Sequence, residues 1–231
     1  MAKFTKDSFC QNCNLKLNLF RFLTDAELGA INDSRYEVHF NKGETIFKQG
    51  GPLTHIACLT YGMAKVYLET ETGKSIILKV LKPTELIGGP GFQVDNRHHF
   101  SVVAISDSRA CFIDVNAFEQ ALKDNIHFNL EFIKFVNKTT IHLYGKLTGL
   151  TGKNMHGRIA DALLYLSKII YKKTDFSTDL SRQDIADLAA LTKESSIRIL
   201  KAFKDDKIID FDSNSFSILN MEKLERISKT S

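Results

Sequence analysis

Three groups of residues have the types and spacing that chemistry needs. The first lies within 181–205, Ser-Arg-Gln-Asp-Ile-Ala-Asp-Leu-Ala-Ala-Leu-Thr-Lys-Glu-Ser-Ser-Ile-Arg-Ile-Leu-Lys-Ala-Phe-Lys-Asp. Lys193, Glu194, Ser195, Ile197, Arg198 and Lys201 fall on the start and outer face of one expected helix. A helix lying in the major groove of duplex DNA reads bases with its N-terminal residues. Arg198 suits guanine O6 and N7, Glu194 suits cytosine N4, and Ile197 suits a thymine methyl. Ser195 and Lys201 suit phosphate. Glu194 and Arg198 are four apart on one face, so an ordinary solvated charge pair is the competing reading.

The second group is Cys10-Gln-Asn-Cys13, a CxxC pair able to bind metal or cycle between thiol and disulfide, with Cys58 and Cys111 further on. Four cysteines in 231 residues are too sparse for a disulfide scaffold. For Cys58 and Cys111 the plain reading is a small buried hydrophobe. The third group is His98-His99-Phe100-Ser101, downstream of Gly88-Gly89. Its histidines could donate to an anion or ligate a metal, and the plain reading is a pair of loop or rim residues. A metal enzyme on a cupin-like barrel is the function class this pair would support. No carboxylate at useful spacing accompanies it, and no Ser-His-Asp or phosphate-loop pattern occurs.

The elements that must position these residues are visible in the pattern. Ser181 with Asp184 resembles a capping box and opens a helix with Ile185, Leu188 and Ala189 on its apolar side. Ala186 is small where a second helix must cross. Thr192 caps that second helix, which turns Ile199, Leu200 and Phe203 inward. The turn position Ala190 calls for left-handed backbone, where glycine is usual. Two short helices joined by such a turn make a helix-turn-helix. A hairpin over 208–219 follows and reads as a wing, and a last helix begins near Met221.

Upstream, short apolar runs from Thr45 to Val115 recur about every ten residues, with glycine and all three prolines between them. They predict a β domain over about 36–115, with a hairpin turn at Glu71-Thr72-Gly73-Lys74 and a helix over Leu15–Asn32 before it. From Asn116 to Leu150 the pattern is helical. Ile126, Leu130, Ile133, Asn137, Thr140, Tyr144 and Leu147 form a heptad seam. Phe132, Phe135, Val136, Ile141, Leu143 and Leu150 lie off it, so one face suits the domain's own core and another a partner. A fully buried core helix is the alternative. Gly145 and Gly149 suit flexibility or close packing, and Gly149 with Gly152 a hinge. A further amphipathic helix covers Ile159 to Ile170.

Composition narrows the class. Hydrophobic residues are 43% and charged residues 25%, with a net charge of +4. The charge divides evenly on either side of residue 152, so bulk charge does not argue for nucleic acid. No run reaches the roughly 18 apolar residues of a membrane span, and the first residues hold no signal-like apolar stretch. A cytoplasmic protein without membrane contact is expected.

A β domain, a long seam helix and a winged helix-turn-helix together resemble the Crp/Fnr family, that of the cyclic-AMP receptor protein and the fumarate and nitrate reduction regulator. The resemblance rests on Lys42-Gly43-Glu44-Thr45-Ile46-Phe47-Lys48-Gln49-Gly50, Tyr61-Gly62, Leu86-Ile87-Gly88-Gly89 and Lys193-Glu194-Ser195-Ser196-Ile197-Arg198-Ile199-Leu200, and spans nearly the whole chain. It implies an α+β fold. An N-terminal cyclic-nucleotide-binding-like β-barrel (double-stranded β-helix) with its helical segment would cover 1–115. A long dimerisation helix region would cover 116–151, and a C-terminal winged helix-turn-helix DNA-binding domain 152–231. It further implies a homodimer on palindromic promoter DNA, contact with RNA polymerase, base reading by Glu194 and Arg198, and no enzymatic activity. Ile197 replaces a small residue common in the family.

The resemblance places an effector pocket at Gly88, Gly89, His98, His99, Phe100 and Ser101. Cyclic-nucleotide binders of the family carry a Gly-Glu-Leu turn and an Arg-Ser pair. Here the turn is Gly88-Gly89-Pro90, no Arg-Ser occurs, and Arg97 lies two residues early. A buried phosphate needs a paired cation, so tight cyclic-AMP binding is not expected. In the oxygen-sensing branch, Cys10, Cys13 and Cys111 match iron–sulfur ligand positions, but the remaining one looks like Leu19. Three thiolates leave a four-cysteine cluster incomplete. A thiol switch at Cys10 and Cys13, a vestigial site, and a regulator that works without ligand stay open beside it.

Overall fold

Glycine, proline and asparagine punctuate the first half of the chain so densely that only short extended runs fit between them. In the computed structural model, which describes residues 4–5 and 18–230, those runs are nine strands in two sheets. One sheet has the order β1-β2-β9-β4-β7, formed by β1 (Phe4–Thr5), β2 (Arg35–Phe40), β9 (Ser108–Asp114), β4 (His55–Tyr61) and β7 (Leu86–Ile87). The other has the order β3-β8-β5-β6, formed by β3 (Thr45–Phe47), β8 (Ser101–Ala104), β5 (Ala64–Glu69) and β6 (Ser75–Leu81). The sheets meet through aromatic rings. Phe47 of β3 packs edge-on against Phe112 of β9 with centroids 5.4 Å apart, and Tyr36 of β2 stacks on the same ring. Gly62 makes the turn after β4. Its φ is +77°, and a Cβ there would lie 2.3 Å from the Asp107 carbonyl oxygen, so only glycine fits.

The outer face of the five-stranded sheet is covered by helices. Ile56, Cys58 and Ile113 share a cluster with Leu28 and Ile31 of α1 (Asp25–Asp33), Phe118 of α2 (Val115–Asp124) and Phe128 of α3 (Ile126–Gly152). Two expected helices are divided. The helix expected over 15–32 is a short 3-10 turn, Asn18–Phe22, followed by α1. Thr24 and Glu27 form a reciprocal capping box that starts a new helix there. The long helix expected from Asn116 is broken at Asn125. Asp114 caps α2, and the Asn125 carboxamide oxygen accepts from the Phe128 N–H at 3.0 Å to begin α3.

The chain forms two compact units. One holds Met1–Leu68 with Val80–Ile141, the other Glu69–Lys79 with His142–Ser231. In the second, α4 (Met155–Tyr165) runs into a π-helical turn, Leu166–Tyr171, that ends at left-handed Lys172. The amphipathic helix expected as far as Ile170 thus finishes in a wider turn. Strand β10 (Asp175–Ser177) follows, then α5 (Arg182–Leu188), α6 (Lys193–Asp205), β11 (Ile209–Asp212), β12 (Ser215–Ile218) and α7 (Met221–Thr230). The three strands form one antiparallel sheet in the order β10-β12-β11. Gly149 lies inside unbroken helix rather than at a hinge. A Cβ there would come 3.4 Å from Asp161 Oδ2, so it serves the close approach of α4.

Candidate nucleic-acid interface

The helix-turn-helix is built by caps. Ser181 and Asp184 form a reciprocal capping box at the start of α5. At its end the Leu191 N–H donates to Ala186 O at 2.9 Å and the Ala190 N–H to Asp187 O at 3.3 Å. That is a Schellman pair around Ala190, whose φ is +50°. Thr192 then accepts from the Ser195 N–H at 3.2 Å and starts α6. Ile185, Ala186, Leu188, Ile199, Leu200 and Phe203 are buried between the helices and their neighbours. The two helices are therefore fixed by local hydrogen bonds at the turn and by an apolar seam along their length.

This packing leaves the expected contact residues on the far side. Lys193, Glu194, Arg198 and Lys201 are exposed, and Ser195 and Ile197 are half-buried. Among the described residues no ion pair joins Glu194 to Arg198, so the competing charge-pair reading has no contact behind it. The wing is held from both helices. Arg182 lies over the rings of Phe211 and Phe216 and donates to Ser213 O. Lys204 pairs with Asp210 at 2.7 Å and lies over Phe211. Arg182 stands at the first position of α5, and the sequence assigns it no role. Its guanidinium is a wing support, which only the rings opposite it reveal.

The back of α5 is tied down by cations. Lys146 of α3 donates to Leu188 O at 2.9 Å, and Arg158 of α4 to Ala190 O at 3.3 Å. Both satisfy carbonyls at the helix C-terminus, where positive charge is favoured. They line a cavity of about 250 Å³ with His142, Asp161 and Tyr165. Burial pulls the Lys146 ammonium down to about 8, against a smaller upward pull from Asp161. None of this was visible in spacing alone.

The expected effector residues do not converge as polar groups on one site. His98 is not a rim residue, being 2% exposed and stacked on Phe47 at 4.1 Å. Neither ring nitrogen has a hydrogen-bond partner, and burial holds its pKa below the usual histidine value. His99 points outward to Asp95 at 3.0 Å, so a carboxylate four residues earlier does accompany the histidine pair, contrary to the expectation from spacing. Ser101 is buried in β8 and accepts from the Gln49 N–H at 3.0 Å. Phe100 is half-buried. Gly89 packs beside Leu53 and His98, and Gly88 beside Ile56. Arg97 donates to Gly50 O at 2.8 Å. With no carboxylate at the Gly88-Gly89 turn and the Arg97 guanidinium engaged by a carbonyl, these residues do not fit a cyclic nucleotide.

Of the positions expected to hold an iron–sulfur cluster, Cys10 and Cys13 lie outside the described residues. Cys111 is in β9 with Arg35 against its sulfur, and Leu19 packs on the hydrophobic cluster. No group of three or more His, Cys, Asp or Glu able to hold a metal occurs among the described residues. No helix there is long and apolar enough to cross a membrane.

Residues 37–125 match the family model described as a cyclic nucleotide-binding domain, and residues 157–227 the one described as a Crp-like helix-turn-helix domain. The chain is 23% identical over 194 residues to the transcriptional regulatory protein btr of Bordetella pertussis, covering 82% of this chain and 80% of that protein. It is 20% identical over 215 residues to the CRP-like cAMP-activated global transcriptional regulator of Mycobacterium tuberculosis, covering 91% and 96%. The structure of FixK2 from Bradyrhizobium japonicum superposes with a TM-score of 0.77 at 19% identity, covering 84% of this chain and 98% of that one, and shares the fold. A β domain of cyclic-nucleotide-binding type, followed along the same chain by a capped and winged helix-turn-helix, places this protein in the Crp/Fnr family of DNA-binding transcription regulators.

Proposed function

We propose that the chain acts in the cytoplasm as a homodimer on palindromic promoter DNA, where it contacts RNA polymerase. Residues 1–115 sense, 116–151 pair the subunits and 152–231 bind DNA. The observation that carries the reading is the exposed start of α6, with Arg198 and Glu194 unpaired on a helix whose other face is locked by Ile199, Leu200 and Phe203. Arg198 and Glu194 read base edges, Ile197 meets a thymine methyl, and Lys193, Ser195 and Lys201 take phosphate. Pairing through α3 is supported by its seam. Ile126 is 64% exposed, Tyr144 64% and Leu147 59%. An apolar stripe of that length facing water is the pattern of a helix that meets a second one.

The test is a mobility-shift assay on promoter fragments over a range of salt. Arg198→Ala should cost about 1–3 kcal/mol and relax preference at one base pair. Equal weakening on every sequence would contradict base reading. For the β domain, the chemistry around Gly89, Arg97 and His98 favours control without a cyclic nucleotide. The cAMP activation named for the mycobacterial relative is accordingly not carried over to this chain.

A further inference from the structure

Cys58 and Cys111 are far apart in sequence and opposite one another in the fold. They are Cα partners in the antiparallel pairing of β4 with β9. Opposite residues of such a pair send their side chains to the same face of the sheet. Here it is the face covered by helices, with Cys58 inside the hydrophobic cluster and Cys111 packed against it. Neither is in a disulfide, and the Cys58 sulfur donates to Leu59 O at 3.6 Å. Leu59 gives its N–H to Glu85 O and takes the Thr84 N–H, so its main-chain groups face away from β9. Those of Cys58 therefore face β9, and the two cysteines form a hydrogen-bonded pair with Cα atoms about 5.5 Å apart. That falls inside the roughly 4.4–6.8 Å over which a disulfide closes.

The two sulfurs are not equivalent. Cys58 is buried and Cys111 half-buried, so an oxidant meets Cys111 first. Arg35 is itself buried, held by Asn32 Oδ1 at 3.2 Å, and its Nη1 lies 3.6 Å from the Cys111 sulfur. A fixed guanidinium at that distance favours the anionic sulfur through which thiol chemistry runs.

We propose that Cys58 and Cys111 are a dithiol that a hydroperoxide closes to a disulfide, making the β domain a peroxide-responsive site. The Cys111 sulfur attacks one peroxide oxygen, the O–O bond breaks, and a sulfenic acid and water (from hydrogen peroxide) or an alcohol are released. Cys58 then attacks the sulfenic sulfur, the S–O bond breaks, and a second water leaves. Two thiols are oxidised by two electrons, and one peroxide is reduced. The hydrogen-bonded register keeps the Cβ atoms wider apart than a relaxed disulfide prefers, so the closed bond is strained and is returned readily by thiols. The device is therefore reversible. The cluster around the pair also holds Phe128 of α3, with Phe132 packed against it. Closure thus strains the bed in which the first turns of α3 are seated. That consequence for dimerisation rests on the function proposed above; the sulfur chemistry does not.

The test uses the full chain with Cys10→Ser and Cys13→Ser, reduced and then treated with hydrogen peroxide. Titratable thiols should fall from two to none. A tryptic digest without reductant should join residues 49–65 to residues 110–123, with both thiol hydrogens lost, and dithiothreitol should undo the link. In the same background Cys58→Ala should leave a sulfenic acid at Cys111 that dimedone captures. If that variant does not fold by circular dichroism, Cys111→Ala should leave Cys58 titratable under the same treatment. Two thiols persisting after peroxide, or their loss without the joined peptide, would overturn the proposal. The joined peptide decides the chemistry whether or not the sample shifts promoter DNA, so failure of the DNA-binding reading would register as a separate result.

Discussion

At the residue scale, two side chains hold energy that measurement can release. Ala190 sits at φ +50° in the Schellman turn between α5 and α6. A Cβ in left-handed backbone costs about 1–2 kcal/mol, partly offset by the greater freedom of an unfolded glycine. Ala190→Gly should therefore raise stability by about 0.5–1 kcal/mol in chemical denaturation, and a loss would mean that the Ala190 methyl makes contacts that outweigh the backbone cost. Lys146 holds energy of another kind. Its ammonium is buried among His142, Arg158 and Asp161, and its folded pKa is about 8 against 10.5 for the free side chain. Below pH 8 both states carry the proton and the folded state bears the full cost of burial. Between pH 8 and 10.5 the unfolded state binds more protons, so folding gains stability as pH rises. Thermal denaturation across that window should show the wild type gaining on Lys146→Met, by about 3 kcal/mol at most. Parallel curves would remove the buried charge from the account.

At the element scale, the sequence was clearest where one pattern governed a whole segment. The capping box of α5, the cap of α6, the left-handed turn at Ala190 and the wing hairpin were all legible, because each depends on residues within a few positions of one another. The strands from Thr45 to Asp114, β7 apart, were legible for the same reason. What escaped was decided by distant partners. Asn125 interrupts a run that is helical on both sides, and its capping role is fixed by bonds to Phe22 and Glu27 about a hundred positions earlier. β10 has three residues with one buried, and exists because β12, some forty positions later, pairs with it. The π-turn Leu166–Tyr171 lies in a run that reads as ordinary helix. The exposed face of α6, with Lys193, Glu194, Arg198 and Lys201 turned outward, was legible. The burial of His98, the engagement of Arg97 by Gly50 O and the use of Arg182 as a wing support were not, since each is set by a carbonyl or ring from another part of the fold.

At the scale of the whole molecule, the proposed pairing of subunits rests on the seam of α3. Leu130 and Ile133 project from the same helix that buries Phe128, so the seam is apolar without being needed for the subunit's own core. Leu130→Glu with Ile133→Glu should convert a dimer to a folded monomer in sedimentation and weaken binding to a two-half-site fragment at least tenfold. A variant that sedimented as the wild type would show that the stripe is not the subunit contact. Monomers that kept full affinity would separate pairing from site recognition.

The Asn125 carboxamide has a consequence at this same scale. Its nitrogen donates to Phe22 O and to Glu27 Oε2, both at 2.9 Å, while its oxygen accepts from the first turn of α3. One small group thus fastens the entry of α1 and the root of α3 together. A disturbance arriving along the backbone before α1 has a two-bond lever onto the long helix and needs no route through either sheet.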